Sequence, residues 1–300
     1  MKGRTHLFVA CLLLGACAKP PDWEGPRYAK APPAGTHDLL RLAIHPAYNP
    51  RQLAEAYQPL IDLLNRRIPD CQFELEASRD YADFESKIRR RAPELLLPNP
   101  LQTLEALDEG YQVLAMVGDA EDFRGIFLVR RDSGIRQPAD LKGRAVAYPA
   151  HTALAACIMP QWFLHERGLD PVRDIDNRYV GSQESAIMNV LLDQVAAGVT
   201  WPPPWRMFQR DHPDRAAELK VIWETAPLIS NSLMIRRDLA PRLGVRLRAV
   251  LLGLRDSEEG RRVLSGMETS RFIRAGDSDY AVVRTFMERF ERHVRPVVIP

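Results

Sequence analysis

The residues with the clearest potential for chemistry are His151, Thr152 and Ala153, which lie between the apolar run 144–148 and a helical pattern. Thr152 is placed to cap that helix. The first N–H groups of a helix have no partner within it and lie at the positive end of its dipole. They can therefore hold a carboxylate, a phosphate or a hydroxyl-rich molecule without a catalytic side chain. We predict half of a ligand site in the segment 138–168; the alternative is an ordinary strand followed by a capped helix.

Motifs of covalent and metal-dependent catalysis are absent from the sequence. It contains no G-x-S-x-G, H-E-x-x-H, Walker, G-x-G-x-x-G or C-x-x-C pattern. His165 lacks a second histidine one turn further on, and His45 and His151 at two predicted strand ends are too few for a metal site. The sequence therefore predicts no enzyme activity, no metal and no cofactor.

A secretory signal is predicted at the N-terminus, where two basic residues precede the apolar run 7–14. This run is too short to span a membrane as a helix. The four residues LGAC that end at Cys17 resemble a bacterial lipobox, which implies removal of residues 1–16 and a lipid on Cys17. The alternative is a plain secretory signal. Residues 17–36 are rich in Pro, Ala and Gly and are predicted to form a tether.

The predicted mature chain has no excess charge that would suit nucleic acid. Removing the signal lowers the number of Lys and Arg residues from 41 to 39, against 39 Asp and Glu. Because nucleic-acid binding needs a concentrated basic face, we predict no nucleic-acid partner. We expect a monomer in the periplasm, held to a membrane by lipid. In proteins with a similar signal, a residue such as Ala18 after the cysteine favours the outer membrane.

Strand-like and helical segments alternate through the rest of the chain, which predicts an α/β fold with mostly parallel sheets and helices on both faces. Polar segments at 118–124 and 225–230 separate strand-like runs and are predicted to cross between two lobes. This assigns residues 37–120 and 226–300 to lobe one, and residues 121–225 to lobe two.

Several short motifs follow one another in a characteristic order. They are Pro46 and Tyr48, Tyr57-Gln58-Pro59-Leu60, Asp80-Tyr81, Asp140-Leu141-Lys142-Gly143, Gly181-Ser182 with Ala186-Ile187, and Thr225-Ala226-Pro227-Leu228-Ile229-Ser230-Asn231 with Arg236 and Asp238-Leu239. Their order resembles the periplasmic phosphonate- and phosphite-binding proteins of ABC importers. The resemblance implies a two-lobed, type II periplasmic binding protein fold that captures a small solute between its lobes.

The resemblance and the predicted strand ends together imply a ligand cleft. Its predicted lining is Tyr48, Asn99, His151, Thr152, Gln183 and Trp201. The alternatives are turn roles for Tyr48 and Asn99 and core packing for Trp201.

The oxyanion pocket of the family is only partly kept. Its Ser-Thr-Ser turn is replaced by 151–153, its usual histidine by Gln183 and an aspartate by Ala196. We therefore expect a carboxylate or another singly charged group rather than a dianionic phosphonate. The predicted function is capture of a small anionic or zwitterionic solute by a lipid-anchored periplasmic protein that delivers it to an ABC importer. The alternatives are a ligand-sensing or accessory lipoprotein and, less favoured, an enzyme on the same fold.

Overall fold

The computed structural model describes residues 38–239 and 241–299, in which strands and helices alternate as the sequence predicts. The strands are β1 (Asp38–Ile44), β2 (Cys71–Glu76), β3 (Leu95–Leu97), β4 (Tyr111–Val117), β5 (Ile126–Arg130), β6 (Ala145–Tyr148), β7 (Asp176–Tyr179), β8 (Ala197–Thr200), β9 (Leu219–Glu224), β10 (Ser232–Arg236) and β11 (Phe272–Ile273). The helices are α1 (Pro50–Arg67), α2 (Tyr81–Arg89), α3 (Pro100–Asp108), α4 (Met159–His165), α5 (Gln183–Leu191), α6 (Pro202–Asp211), α7 (Pro213–Ala216), α8 (Pro241–Gly253), α9 (Glu258–Gly266) and α10 (Ala281–His293).

The predicted signal peptide, the lipidated Cys17 and the tether lie outside the described residues. Within the described part of the chain, no helix is both long and apolar enough to cross a lipid bilayer.

The strands form two sheets. The first has the order β11-β4-β10-β3-β1-β2, and the second has the order β7-β6-β8-β5-β9. The β-α-β stretches give parallel pairs, in which β1 lies between β2 and β3, and β6 lies between β7 and β8. Each sheet is the centre of one lobe, as in the predicted fold class.

The expectation of mostly parallel sheets is corrected, because both sheets are mixed. In the first sheet β10 runs antiparallel to β3 and β4, and β11 runs antiparallel to β4. In the second sheet β5 runs antiparallel to β8 and β9. The two crossings account for the antiparallel pairs beside them. In the first sheet β4 ends at the outward crossing and β10 begins at the return crossing, so these two strands run in opposite directions. In the second sheet β5 begins at the outward crossing and β9 ends at the return crossing, with the same result.

The two crossing segments lie side by side. The Gly125 N–H donates to Thr225 Oγ1 at 3.0 Å, and the Thr225 N–H donates back to the Gly125 carbonyl at 2.9 Å. A Cβ on Gly125 would lie 2.4 Å from the Ala155 carbonyl oxygen, so only glycine fits there. The chain passes from the first sheet to the second between β4 and β5 and returns between β9 and β10. The predicted lobe boundaries at residues 121 and 226 stay a prediction.

Alternate residues of the second sheet enter different cores. Phe127 and Val129 pack into one buried apolar cluster, whereas Ile126 and Leu128 pack into another. Since successive side chains of a strand point to opposite faces, both faces of this sheet are covered. Trp205 and Phe208 of α6 cover the second of these faces.

Candidate functional site

The ends of the parallel strands in the two sheets face each other, and a chain of side-chain hydrogen bonds joins them. Gln183, the first residue of α5, is 2% exposed. Its Nε2 donates to the Tyr81 hydroxyl at 3.1 Å, and its Oε1 accepts from Thr200 Oγ1 at 2.8 Å. Because Tyr81 begins α2 of the first lobe and Thr200 ends β8 of the second, the Gln183 amide links the two lobes.

A second contact joins the start of α1 to the start of α5. Asn49 caps α1 by accepting from the Gln52 N–H at 3.0 Å, and its Nδ2 donates to Glu184 Oε2 at 3.0 Å across the cleft. Tyr48 and Gln183 line a gap beside this contact, which has a volume of about 20 Å³. That is room for about one water molecule. The lobes are therefore in direct contact at the starts of these helices.

Thr152 does not cap a helix, which corrects the sequence prediction. The backbone after it forms one turn of π-helix at Leu154–Ile158, with Ala153 in the capping position, before α4 begins. Pro160, the second residue of α4, has no N–H and cannot continue the ordinary α-helical bonding of this turn. The Thr152 hydroxyl is buried and has no hydrogen-bond partner.

Glu85 is a candidate site residue that the sequence reasoning missed. It lies on α2, is 0% exposed, and accepts from Gln102 Nε2 at 3.2 Å through Oε1, whereas its Oε2 has no hydrogen-bond partner. Burial raises the pKa of the Glu85 carboxyl, and the adjacent Thr152 hydroxyl opposes this shift. The available signal was its spacing, because Glu85 shares the inward stripe of α2 with Phe84 and Ile88.

Asn99 lies beside Glu85 and is joined to it through Gln102. Its Oδ1 accepts from the N–H groups of Leu101 and Gln102 at 2.9 and 3.0 Å, which makes it the cap of α3. Asn99 thus has a structural role at the start of a helix, close to the turn role given as its alternative. Its Nδ2 is nevertheless buried without a hydrogen-bond partner. Glu85, Asn99, Gln102 and Thr152, which we name the cleft polar cluster, leave three unpaired polar atoms between the lobes.

The structure does not bring His151 and Trp201 into this cluster as ligand groups. His151 Nε2 donates to the Val298 carbonyl at 2.9 Å and is thereby engaged by the C-terminal segment. Trp201 packs against Phe123 and His45, with ring centroids 5.8 and 6.3 Å apart, so it fulfils the core-packing alternative. Its neighbour His45 is buried, and burial lowers the His45 pKa to about 4.

The polar groups of the cleft suit binding more than catalysis. In the residues that the structure describes, no three His, Cys, Asp or Glu side chains are grouped to hold a metal ion. The cleft polar cluster contains one carboxyl, two amides and one hydroxyl, and no nucleophile paired with a base. Such a set can donate to and accept from a solute, which is what orientation of a bound molecule requires.

The chain matches known proteins by sequence. Residues 42–280 match the periplasmic substrate-binding proteins of phosphonate ABC transporters. The probable ABC transporter phosphite-binding protein PhnD1 of Prochlorococcus marinus (strain MIT 9301) is 22% identical over 182 residues, 56% of this chain and 61% of that protein. The tetrathionate sensor histidine kinase TtrS of Salmonella typhimurium is 24% identical over 183 residues, 56% of this chain and 29% of that protein. The chain thus spans less than two thirds of either relative.

The chain also matches solved structures. PhnD1 in complex with methylphosphonate superimposes with a TM-score of 0.77 at 18% identity, over 85% of this chain and 99% of that one. A binding protein component of an ABC phosphonate transporter from Pseudomonas aeruginosa gives a TM-score of 0.79 at 18% identity, over 86% and 88% of the two chains. These likenesses show the type II periplasmic binding protein fold, and the family consists of binding proteins rather than enzymes. The chain belongs to the family of periplasmic substrate-binding proteins of phosphonate ABC transporters.

Proposed function

We propose that this chain captures a small anionic or zwitterionic solute between its lobes and delivers it to an ABC importer, as a monomer held to a membrane by lipid on Cys17. The observation that carries this proposal is the cleft polar cluster, with unpaired polar atoms on Glu85, Asn99 and Thr152. Leaving a buried polar group without a partner costs about 1–3 kcal/mol. A solute that pairs with these atoms removes this cost and thereby stabilises the closed lobes.

The paired crossings supply the motion that the proposal needs. Hinge segments of a few residues absorb the rotation of one lobe against the other. The two bonds between Gly125 and Thr225 tie the crossings together. Opening would break the contact between Gln183 and Tyr81 and admit the solute.

A singly charged or zwitterionic solute fits the cluster better than a dianionic phosphonate. A dianion is held by several charge-assisted hydrogen bonds. Here the Gln183 amide is already engaged by Tyr81 and Thr200, and the Glu85 carboxyl lies beside Thr152. A carboxylate at that position repels a second negative charge when it is ionised.

Calorimetry on the full-length chain in detergent tests this proposal. We expect a compound from a panel of carboxylates, sulfonates and amino acids to bind and to be recovered unchanged. Methylphosphonate, phosphite and phosphate are expected to bind only weakly. Sub-micromolar binding of one of these three would contradict the solute class, and recovery of a converted product would contradict a binding role.

A second candidate is a sensor or accessory lipoprotein, which the likeness to the sensor kinase TtrS favours. Such a protein closes on its solute and presents the closed form to a membrane partner rather than to a permease. Crosslinking in membranes, with and without bound solute, separates the two roles. Capture of an importer permease supports transport, and capture of a sensor kinase supports signalling.

A further inference from the structure

Glu85 is a buried carboxyl that no basic group of the chain neutralises. Within residues 38–239 and 241–299, no Arg, Lys or His side chain forms an ion pair or hydrogen bond with it. Arg89, one turn further along α2, donates instead to Glu105 at 2.9 Å. His151, whose charged form would attract Glu85, is engaged by the Val298 carbonyl. The Gln102 amide donates to Glu85 Oε1 at 3.2 Å, and the Thr152 hydroxyl lies beside the same carboxyl.

Glu85 Oε2 is buried and has no hydrogen-bond partner. It shares the boundary between the lobes with the Thr152 hydroxyl, which is also unpaired. The Asn99 Nδ2, which can only donate, is unpaired in the same cluster. The cluster thus contains an acceptor, Glu85 Oε2, and two groups that can donate, the Thr152 hydroxyl and the Asn99 amide.

We propose that Glu85 sets the specificity of the cleft by receiving an ammonium group, so that the preferred solute is a small zwitterion. Its ammonium donates to Glu85 Oε2, and its anionic group accepts from Asn99 and Thr152. This inference rests on the proposed binding function and narrows its solute class. It also gives a reason for the buried carboxyl, because an unpaired charge in a protein interior is strongly unfavourable until a partner of opposite charge arrives.

Matched pairs of compounds that differ only in an ammonium group test the inference. The pairs are taurine and ethanesulfonate, β-alanine and propionate, and aminomethylphosphonate and methylphosphonate. Calorimetry on the full-length chain should show that the ammonium-bearing member of at least one pair binds at least about tenfold more tightly. A tenfold preference corresponds to about 1.4 kcal/mol, which is within the range of one charge-assisted hydrogen bond.

Two variants test whether Glu85 is the source of the preference for the ammonium-bearing compound. Glu85→Gln removes the charge and keeps the shape, and it should bring the two members of the responding pair to within about threefold. Glu105→Gln is the matched control, since Glu105 is a neighbouring, half-buried carboxyl that pairs with Arg89. The control should keep the preference. A melting curve for each variant verifies that it folds.

The wild-type chain alone can overturn the inference, even if Glu85→Gln does not fold. Equal or tighter binding of the compounds that lack the ammonium group would contradict the role of Glu85 while leaving solute binding intact. Failure of every compound to bind at millimolar concentration would contradict the inference and count against the binding function itself. If a folded Glu85→Gln variant keeps the preference, the ammonium group of the solute binds to a residue other than Glu85, and the inference is wrong.

Discussion

Arg206 on α6 donates through Nε to Glu268 Oε2 at 3.0 Å, which places an ion pair between the second lobe and the segment after α9 of the first lobe. Arg210 donates to the other oxygen of the same carboxylate at 3.2 Å. Arg206 also contacts Asp122 in the first crossing at 2.8 Å. Glu268 thus forms ion pairs between the two lobes next to the first crossing segment, and we call its side chain the latch carboxylate.

Removing the latch carboxylate should open the unliganded protein. Because Arg206 and Arg210 are partly exposed, the pairs lost in Glu268→Gln favour closure by only about 1 kcal/mol in total. This shifts the ratio of closed to open molecules roughly fivefold. Small-angle scattering should show a larger radius of gyration without solute and a return to the wild-type value with solute.

Glu258→Gln is the matched control for the latch. Glu258 begins α9, the helix before Glu268, and it pairs with Arg262 of the same helix. This variant should leave the radius of gyration unchanged. An identical scattering profile for Glu268→Gln and wild type would show that the latch does not set the opening equilibrium.

Local patterns in the sequence predicted elements better than they predicted contacts. Helix α1 has the predicted buried stripe that includes Leu53, Tyr57 and Leu60, because helical spacing alone selects the inward face. The crossings were predictable from polar segments between strands. The mixed sheets were not, because strand direction at a crossing depends on which distant strand lies alongside.

Some of the candidate site residues are likewise marked by local sequence patterns, and others are not. Tyr48, Asn99, Thr152 and Gln183 all lie at the opposed lobe edges, since strand ends are marked locally by Pro, Asn and Gly. Glu85 escaped attention because a charged residue on an amphipathic helix is ordinarily on the solvent face. Its partners are Gln102 of the same lobe and Thr152 of the other lobe, and no local pattern encodes such distant contacts.

The Tyr81 hydroxyl should matter for closure rather than for folding of one lobe. Tyr81→Phe removes the acceptor of the Gln183 amide and leaves a buried N–H group unpaired in the closed form, at a cost of about 1–3 kcal/mol. Hydrogen exchange should become faster at the start of α5. Tyr111→Phe is the control, because the Tyr111 hydroxyl donates to the Pro93 carbonyl within the first lobe; it should lower stability without loosening α5.

Glu105 should make stability depend on pH. Burial and the neighbouring Glu85 raise the pKa of Glu105 from 4.5 to about 7. Between these values the folded chain binds more protons than the unfolded chain, so its free energy of unfolding falls as the pH rises. The loss attributable to Glu105 is at most about 3 kcal/mol.

Urea unfolding of wild type and Glu105→Gln at several pH values measures this contribution. The difference between the two free energies should change between pH 4.5 and about 7 and be constant above that range. The opposite effect of His45, whose folded form is hard to protonate, is common to both proteins and cancels. A constant difference throughout would mean that Glu105 titrates normally.

Membrane attachment should depend on Cys17. Cys17→Ser removes the thiol that carries lipid in the predicted lipobox, so the protein should move from the membrane pellet to the soluble fraction after cell lysis. Ser278→Ala, a substitution far along the chain from the signal, is a control that should stay in the pellet. Retention of Cys17→Ser in the membrane would contradict lipid anchoring.

Arg295 should hold the loop that carries Thr152 in place for the solute. Its Nη2 donates to the His151 carbonyl at 2.9 Å, and its Nε donates to Gln161 Oε1 at 2.9 Å, so the segment after α10 fastens both ends of the π-helical turn. Arg295→Ala should speed hydrogen exchange in residues 151–158 and weaken solute binding by about tenfold, the effect of losing roughly one charged hydrogen bond.

Arg292→Ala is the control for Arg295, because Arg292 is exposed on the last turn of α10. It should change neither exchange in residues 151–158 nor affinity. Pro160 has no N–H group to donate back to the π-helical turn, so contacts from outside add to the order of residues 154–158. Wild-type exchange rates in Arg295→Ala would show instead that packing of Leu154 and Ile158 against the first-lobe core is sufficient to hold Thr152 in the cleft.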